Sequence, residues 1–515
     1  MKQLSKSKYA KYCQCPKCLW MSVYKPEEEV IDPNSEARFE NGTEVGELAR
    51  GILGDYVDVT VRKDDDRLDL PAMIAKTKEL METGQENICE ASFCYDGRSA
   101  LGDACQCKNY CAVDILHKTE DGWAIYEVKS TSFPEFNGNP AKLDKYLPDV
   151  SYQKWVLDQC GVNVTGVYLV CLNSDYIREG ELDLQKLFVI NSMDDMIANE
   201  YDKVENRQRE AKKLLQQTEE PTMDIWEGCK KPYDCGYYKY CSRHLPSPSV
   251  FELYRMRFSD KLKYYRQGVI TFDAIKDEKL TAVRRIQVDS TLNNQPNIDK
   301  AVIKEFLDQL SYPLYFLDFE TMQPAIPQFD GTKPYQQIPF QYSLHIIEHE
   351  GGELIHKEHL GISGTSTMRA LAEQLCEDIP MDVCTLAYNK AFECTRIKEM
   401  AQAFPDLAEH LTNIQEHIAD LLVPFQQGAY YLPSMKGSFS IKVVLPALFP
   451  DDPTLDYHNL EGCVHNGSEA MNIFPEIQYM TSEEQAKTRK SLLAYCCLDT
   501  FAMVKVWMKL CETIK

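Results

Sequence analysis

The chain has 515 residues, a formal charge of −23 and 20 cysteines, and 44% of its residues are hydrophobic. This composition is typical of globular proteins and excludes global disorder. The negative charge argues against a surface that coats nucleic acid without specificity, but it is compatible with a local basic channel. We expect neither a membrane span nor a signal peptide, because no run approaches about 18 apolar residues and the N-terminus lacks an apolar core. We therefore expect a cytoplasmic protein.

Three regions are predicted along the chain: residues 1–245, a helical connector at 246–310, and residues 311–515. The connector carries five basic residues among four aromatics between Leu253 and Arg266. Such a stretch either tracks phosphates and bases or forms an amphipathic helix whose rings pack inward, and we favour the helix. Basic strips that could contact nucleic acid are predicted at Lys2–Lys17, Arg207–Lys213 and Arg255–Arg266.

A hairpin is predicted where Asp121 and Gly122 separate two β-rich runs. With these two as turn residues, Asp114 lies opposite Lys129, and both project from the same face as Glu127. Two acids can hold a divalent metal that activates water, and a lysine can position a phosphate. The alternative is a solvated strand face with an ordinary ion pair.

This hairpin resembles the core motif of PD-(D/E)XK nucleases of the RecB-like branch. In that family a glutamine follows on a helix, where Gln153 fits, and an acid precedes the motif, where Glu90 fits. The resemblance implies catalytic roles for Asp114, Glu127, Lys129 and Gln153, and metal binding by Glu90, Asp114 and Glu127.

The chain departs from that family at two places. The upstream histidine of many members is missing from the segment 41–46, and the tyrosine after the glutamine is replaced by Leu157. We expect these changes to alter metal affinity or rate.

Three cysteines follow a regular spacing, at Cys229, Cys235 and Cys241, and Cys15 near the N-terminus supplies a fourth, with Cys13 and Cys18 beside it. The arrangement resembles the iron–sulfur motif of AddB and of the Cas nucleases of the RecB-like branch. It implies a [4Fe–4S] cluster on Cys15, Cys229, Cys235 and Cys241, with zinc as the alternative because thiolates bind both. A further group could bind zinc but follows no pattern that we can assign; it comprises Cys89, Cys94, Cys105, Cys107 and Cys111.

Acidic residues at helix or strand spacing characterise residues 311–515. Asp318 and Glu320 are two apart on an apolar strand and therefore face the same way, an arrangement that is costly without a cation. Tyr495 and Asp499 are four apart on a predicted helix and hence on one of its faces. Asn389 and Glu393, where a strand is predicted to run into a helix, are again four apart.

Together these motifs resemble DnaQ-like exonucleases of the DEDDy type, with glutamate in place of the usual aspartate at position 393. The resemblance implies that Asp318, Glu320, Glu393 and Asp499 hold two divalent ions and that Tyr495 orients a water. The alternative is a degenerate domain that binds without cutting. Asp420 and the run 437–442 also resemble the domain-of-unknown-function family 2779. We interpret Asp420 as a packing residue, and Lys442 as contacting a phosphate or bracing the site.

The sequence thus predicts an α/β protein, with an N-terminal PD-(D/E)XK (restriction-endonuclease-like) domain and a C-terminal RNase H-like (DnaQ-type) domain. We expect an Mg²⁺- or Mn²⁺-dependent nuclease with 3′→5′ polarity at the C-terminal site, and we favour DNA over RNA as its substrate. Three alternatives stay open: one site is only a nucleic-acid clamp, the whole protein is a non-cutting scaffold in repair or phage defence, or the cysteines form a redox sensor or electron carrier.

Overall fold

A computed structural model describes residues 3–31, 33–95 and 108–515, with residues 33–40 described by their backbone alone. The chain is mixed α/β and divides into two compact units. Unit 1 comprises residues 1–244 and 324–336, and unit 2 comprises residues 245–323 and 337–515. Residues 246–310, treated above as a connector, therefore fold as part of unit 2.

Unit 1 contains seven strands and eight helices within its described residues. The strands are β1 (Leu4–Ser5), β2 (Val57–Asp58), β3 (Asn87–Tyr95), β4 (Asn109–Lys118), β5 (Trp123–Phe133), β6 (Val164–Asn173) and β7 (Phe188–Ser192). The helices are α1 (Lys6–Gln14), α2 (Pro16–Tyr24), α3 (Pro33–Ala49), α4 (Leu70–Thr83), α5 (Leu147–Gln159), α6 (Leu184–Leu187), α7 (Asp194–Gln216) and α8 (Tyr238–Cys241).

One mixed sheet organises unit 1, in the order β2-β3-β4-β5-β6-β7, with β1 pairing in parallel with β4. Alternate side chains along β3 and β4 enter two separate apolar clusters: Ile88 and Leu116 join one, and Cys89 and Ile115 join the other. Both faces of the sheet are therefore covered, as the period-2 alternation of strand side chains requires. Helix α5 packs against β3, β4 and β6, and α3 packs against β5.

The predicted hairpin exists, but its predicted register is wrong by two residues. Lys118 pairs with Trp123 and Ile115 with Tyr126, so four residues rather than two form the loop, closed by the Thr119 N–H donating to the Gly122 carbonyl at 2.9 Å. Because strand side chains alternate with a period of two, an even shift preserves the face on which each residue lies.

Unit 2 contains the remaining seven strands and eleven helices. The strands are β8 (Asn297–Ile298), β9 (Leu314–Met322), β10 (Ile338–Ile347), β11 (Leu354–Leu360), β12 (Cys384–Ala387), β13 (Ile418–Asp420) and β14 (Tyr430–Tyr431). The helices are α9 (Phe258–Arg266), α10 (Phe272–Ile275), α11 (Ala282–Asn293), α12 (Lys300–Leu307), α13 (Met368–Asp378), α14 (Ala391–Ala403), α15 (Ala408–Glu416), α16 (Val423–Gln426), α17 (Ile441–Leu448), α18 (Gly467–Glu476) and α19 (Ser482–Ile514).

The main sheet of unit 2 has five strands in the order β11-β10-β9-β12-β13. Strand β10 is antiparallel to both of its neighbours, β11 and β9, whereas β12 is parallel to both β9 and β13. Helix α19 packs on β9 and β10, and α18 packs on β9. The central strand β9, on which Asp318 and Glu320 were predicted, is thus covered by two helices. A two-stranded sheet of β8 and β14 lies apart from the main sheet.

The aromatic residues of the basic stretch Leu253–Arg266 pack inward, as in the favoured interpretation. Leu262 is fully buried, Tyr264 packs against an apolar cluster, and the ring of Tyr265 contacts that of Phe251.

Helix α19 is, within the described residues, the one helix that is long and apolar enough to span a membrane by length and composition. Charged residues interrupt this helix at Asp499, Lys505 and Lys509, so it holds no run of about 18 apolar residues and the expectation of no membrane span is not contradicted. Of its apolar window, 61% is buried inside the protein, which is the pattern of a core helix and is consistent with a soluble protein.

Candidate functional sites

The carboxylate of Glu127, which is 1% exposed, is the centre of a polar cluster in unit 1. Lys6 Nζ lies 2.7 Å from its Oε1 and 2.9 Å from its Oε2. Lys129 Nζ donates to Oε1 at 2.8 Å, and Gln153 Nε2 donates to Oε2 at 2.7 Å. The structure therefore brings three of the predicted residues together and adds Lys6.

Asp114 joins this cluster from β4. Its Oδ2 accepts a hydrogen bond from the Val128 N–H at 2.7 Å, and its Oδ1 lies 3.9 Å from Lys6 Nζ. Burial, followed by repulsion from Glu127, raises the pKa of Asp114 to about 7. Burial also opposes ionisation of Glu127, but Lys129 and Lys6 outweigh it and lower the pKa of Glu127 to about 2. Of the two acids, Asp114 is thus the one whose charge changes near neutral pH.

Glu90 has a φ of 57°, an unusual left-handed conformation for a residue within a strand. Strained backbone of this kind clusters at functional sites. Burial raises the pKa of Glu90, and the charges of Lys6 and Glu127 reach it, so it belongs to the same centre. Arg50 Nη2 lies 3.6 Å from its Oε1. This arginine directly follows α3, the helix that contains the segment lacking the family's histidine.

Lys6 and Asp149 complete the unit 1 site and were not predicted as members. Asp149 Oδ2 accepts from Lys129 Nζ at 2.8 Å. Lys6 reaches the site because β1 pairs in parallel with β4. The paired residues are more than 100 positions apart in sequence, so no local pattern reveals this contact. Gln153 Oε1 is buried and lacks a hydrogen-bond partner within the described part of the chain, so an acceptor there remains available to a ligand.

Five cysteines line one small cavity in unit 1: Cys15, Cys18, Cys229, Cys235 and Cys241. The four predicted ligands are among them, and Cys18 is an additional one. Cys13 instead accepts a hydrogen bond from Arg207 Nη1 at 3.8 Å.

The thiols of this cavity interact with one another. A hydrogen bond from the Cys18 thiol lowers the pKa of Cys235 to about 7, and that same bond raises the pKa of Cys18. Burial raises the pKa of Cys229 to about 11. Three buried and two half-buried thiols, one of them easily ionised, form a donor set that suits a thiolate-bound metal or cluster.

The described members of the other cysteine group do not share one site. Cys89 and Cys111 are buried in different apolar clusters, which cover opposite faces of the unit 1 sheet. Cys94 is partly buried. Cys105 and Cys107 lie outside the described residues.

Four carboxylates from three separate segments form the candidate site of unit 2: Glu320, Glu393 and Asp499 are buried, and Asp318 is half-buried. Asp318 and Glu320 lie on β9, and an oxygen of each lies within 4.8 Å of the other and of Cys496 Sγ. Asp499 (8% exposed) comes from α19. Glu393 comes from the first turn of α14, and its Oε2 is buried without a hydrogen-bond partner in the described residues.

Crowding and burial make these carboxylates hard to ionise. Burial, and then repulsion from Asp499 and its other acidic neighbours, raises the pKa of Asp318 well above its usual range, and Glu320 behaves alike. Burial raises the pKa of Glu393 to about 8 and that of Asp499 to about 6. Bound divalent cations relieve such repulsion, so the donor set fits hard metal ions with oxygen ligands.

Three further residues border the carboxylates of unit 2. Lys442 Nζ donates to Tyr495 Oη at 3.2 Å, and Tyr457 Oη donates to Asp499 Oδ1 at 2.7 Å. Gly467, the first residue of α18, is so close that a Cβ there would lie 3.6 Å from Glu320 Oε2. Sequence reasoning singled out Lys442 but missed Tyr457 and Gly467, which lie outside any periodic motif.

Asn389 and Asp420 shape the turn that leads into α14. Asn389 has a φ of 67°, and its N–H donates to Asp420 Oδ1 at 2.9 Å. The same oxygen accepts from the Leu422 N–H at 3.0 Å. Asp420 therefore holds the turn that orients Glu393, in agreement with its interpretation as a packing residue.

One family model matches part of this chain, mostly within unit 2. Residues 315–440, which include Asp318, Glu320 and Glu393, match the family described as a domain of unknown function, DUF2779. This match and the relatives below support the DUF2779 resemblance drawn from the sequence. No solved structure matches the chain.

Two curated relatives share part of the chain. The uncharacterized protein UU173 of Ureaplasma parvum serovar 3 is 26% identical over 180 residues, which is 33% of this chain and 25% of that protein. A homologue of the uncharacterized protein MG366 in Mycoplasma pneumoniae is 27% identical over 222 residues, which is 39% of this chain and 33% of that protein. The chain thus spans a quarter to a third of the length of these relatives.

Proposed function

We propose that this protein is a metal-dependent nuclease whose unit 2 site hydrolyses phosphodiester bonds. The observation that carries the proposal is the cluster of four carboxylates, of which Glu320, Glu393 and Asp499 are buried and Asp318 is half-buried. Lys442 faces Asp318, Glu320 and Asp499, and Arg396 faces Glu393. Buried like charges without enough cations are costly, so proteins keep them where they bind metal.

Two divalent ions held by these residues would supply Lewis-acid stabilisation of the attacking and leaving oxygens. The chain contributes the remaining parts. Tyr495 Oη, held by Lys442 Nζ, orients the attacking water, and Lys442 offers a positive charge to the phosphate. Tyr457 keeps Asp499 ionised by donating to it. The N-terminal turn of α18 begins at Gly467, beside Glu320, and favours an anion there.

The topology of unit 2 supports an RNase H-like, DnaQ-type domain of DEDDy type. Three antiparallel strands are followed by two parallel ones, the DxE pair lies on the central strand, and the tyrosine and last acid lie on a helix that packs across that strand. By this family analogy the site is a 3′→5′ exonuclease, and DNA is the substrate that we test first.

Unit 1 is proposed to be a PD-(D/E)XK domain of the RecB-like branch with a second phosphodiester-cleaving site. Asp114, Glu127, Lys129 and Gln153 share one centre, and β5 is irregular directly after Lys129, a feature common beside active sites.

One observation favours the alternative that unit 1 is only a nucleic-acid clamp. Lys6 Nζ contacts both oxygens of Glu127, so an ammonium group occupies a position where a metal would bind. Lys6 and Lys129 act on Asp114, and Arg50 acts on Glu90. In unit 2, Lys442 acts on Asp318, Glu320 and Asp499, and Arg396 acts on Glu393, so two basic groups face four carboxylates.

The thiol-lined cavity of unit 1 is proposed to hold a [4Fe–4S] cluster on Cys229, Cys235, Cys241 and Cys15, with zinc as the alternative. Tetrahedral zinc with four thiolates requires S···S distances of about 3.8 Å from its bond lengths. The groups of three donor atoms within 4.8 Å of one another in the described residues lie in unit 2, so the thiols do not lie at zinc spacing, and the family resemblance favours the iron–sulfur cluster. Free thiols and such a cluster suit a reducing cytoplasm.

The proposed function is tested by incubating the protein with end-labelled single-stranded DNA and Mn²⁺. Wild type is compared with Asp318→Ala, Lys129→Ala and the exposed-site control Asp451→Asn. Removing one transition-state contact costs about 2.7–4 kcal/mol, or roughly 10²–10³ in rate. Loss with Asp318→Ala alone identifies unit 2 as the nuclease and unit 1 as a clamp, and partial loss with each supports two sites. Inactive wild type on DNA and on RNA would favour the non-cutting scaffold.

A further inference from the structure

A second cluster of donor atoms lies in unit 2, built from softer ligands than the carboxylates. It joins His345 on β10, His356 on β11 and Cys497 on α19, and one ligand atom from each lies within 4.8 Å of the other two. The two histidines are directly opposite each other in the antiparallel pair, with ring centroids 4.6 Å apart. His345 is buried, Cys497 is half-buried and His356 is exposed, so a cation can enter from solvent.

A hydroxyl group lies within hydrogen-bond distance of one ring nitrogen of each imidazole. Thr500 Oγ1 lies 2.7 Å from His345 Nδ1, and Ser343 Oγ lies 2.9 Å from His356 Nε2. The two hydroxyls are themselves 2.7 Å apart. In metal sites, a histidine ligand is usually fixed in this way through one ring nitrogen, which leaves the second nitrogen for the ion.

We propose that His345, His356 and Cys497 bind a transition-metal ion of the Zn²⁺ class. Two imidazoles and one thiolate are a donor set that suits zinc and not Mg²⁺ or Ca²⁺, which take oxygen ligands. Cys497 binds as the thiolate and releases its proton to solvent. Water completes the coordination.

An ion at this position would tie the edge strand β11 to α19. Helix α19 also carries Tyr495 and Asp499 of the carboxylate site, and Thr500, which supports His345, directly follows Asp499. The proposed ion is therefore structural, and it is independent of whether the carboxylates cut nucleic acid.

The test follows alkylation of Cys497 in the full-length protein by iodoacetamide, with and without Zn²⁺, and quantifies each cysteine peptide by mass spectrometry. Zinc at ten times its dissociation constant leaves about one site in ten empty, so alkylation of Cys497 slows roughly tenfold. Fragment ions distinguish Cys497 from the adjacent Cys496, and peptide-level detection separates it from the thiols of unit 1, for which zinc is the alternative to an iron–sulfur cluster. The exposed Cys463 serves as the internal control.

Two comparisons make the result decisive. His356→Ala alters an exposed side chain and abolishes the protection, whereas the matched control His349→Ala, in the turn that joins β10 and β11, keeps it. Mg²⁺ does not replace Zn²⁺. The proposal is overturned if Zn²⁺ leaves the alkylation of Cys497 unchanged in wild type, or if it protects the His356→Ala protein equally well.

Discussion

Replacing Asp499 by asparagine should make the metal-free protein more stable. Asp499 lies among Asp318, Glu320 and Glu393, and burial raises its pKa to about 6. Asparagine has nearly the same shape and keeps an oxygen that accepts from Tyr457 Oη, but it carries no charge. The substitution therefore removes electrostatic repulsion and retains the packing.

The magnitude follows from the pKa of Asp499. Its ordinary value is about 3.9, and each pKa unit corresponds to about 1.4 kcal/mol, so the charge costs the folded state on the order of 3 kcal/mol at pH 7. Because the folded-state pKa is raised, the folded protein holds more protons between about pH 4 and pH 6. Its stability falls as the pH rises through that window, and the advantage of the variant appears over the same window.

Differential scanning calorimetry in EDTA measures the effect. One kcal/mol of stability corresponds to roughly 2–4 °C in melting temperature for a unit of this size. Asp499→Asn should therefore melt roughly 6–12 °C above wild type at pH 7. At pH 4 the two melting temperatures should differ little. The exposed-site control Asp451→Asn should match wild type. Mn²⁺ should stabilise wild type more than the variant. A variant that melts below wild type in EDTA would refute the reasoning, as would equal stabilisation of both by Mn²⁺.

Two further variants test neighbouring parts of the account. Tyr457→Phe removes the hydroxyl that donates to Asp499, so the pKa of Asp499 should rise further. The acid limb of the pH–rate profile for Mn²⁺-dependent hydrolysis should then move to higher pH. A profile identical to that of wild type would contradict this. Cys229→Ser should remove the visible absorption of anaerobically purified protein, whereas the exposed Cys463→Ser should keep it; unchanged spectra in both would exclude an iron–sulfur cluster on Cys229.

Local periodicity accounts for what the sequence predicted well. Asp318 and Glu320 on an apolar strand, and Tyr495 with Asp499 on a helix, follow directly from periods of 2 and 3.6 residues. The same argument explains why the unit 1 hairpin has Asp114 and Glu127 on one face although the register was wrong by two residues. Turn length depends on the geometry of four loop residues, and the Asp-Gly signal alone does not fix it.

Long-range contacts account for what the sequence did not predict. Lys6 enters the Glu127 site through the parallel pairing of β1 with β4, and Tyr457 reaches Asp499 from a loop without regular spacing. The paired histidines His345 and His356 belong to adjacent strands, but their register depends on the turn between β10 and β11. In each case tertiary packing determines which residues become partners, and neither composition nor local spacing predicts that packing.

The central claim, that the unit 2 carboxylates catalyse phosphodiester hydrolysis, is tested most directly by release of 3′-terminal nucleotides from 5′-labelled single-stranded DNA with Mn²⁺. The account predicts that wild type and Asp451→Asn shorten the strand from its 3′ end, and that Asp499→Asn, although more stable, is slower by roughly 10²–10³. Equal rates for wild type and Asp499→Asn would contradict the claim.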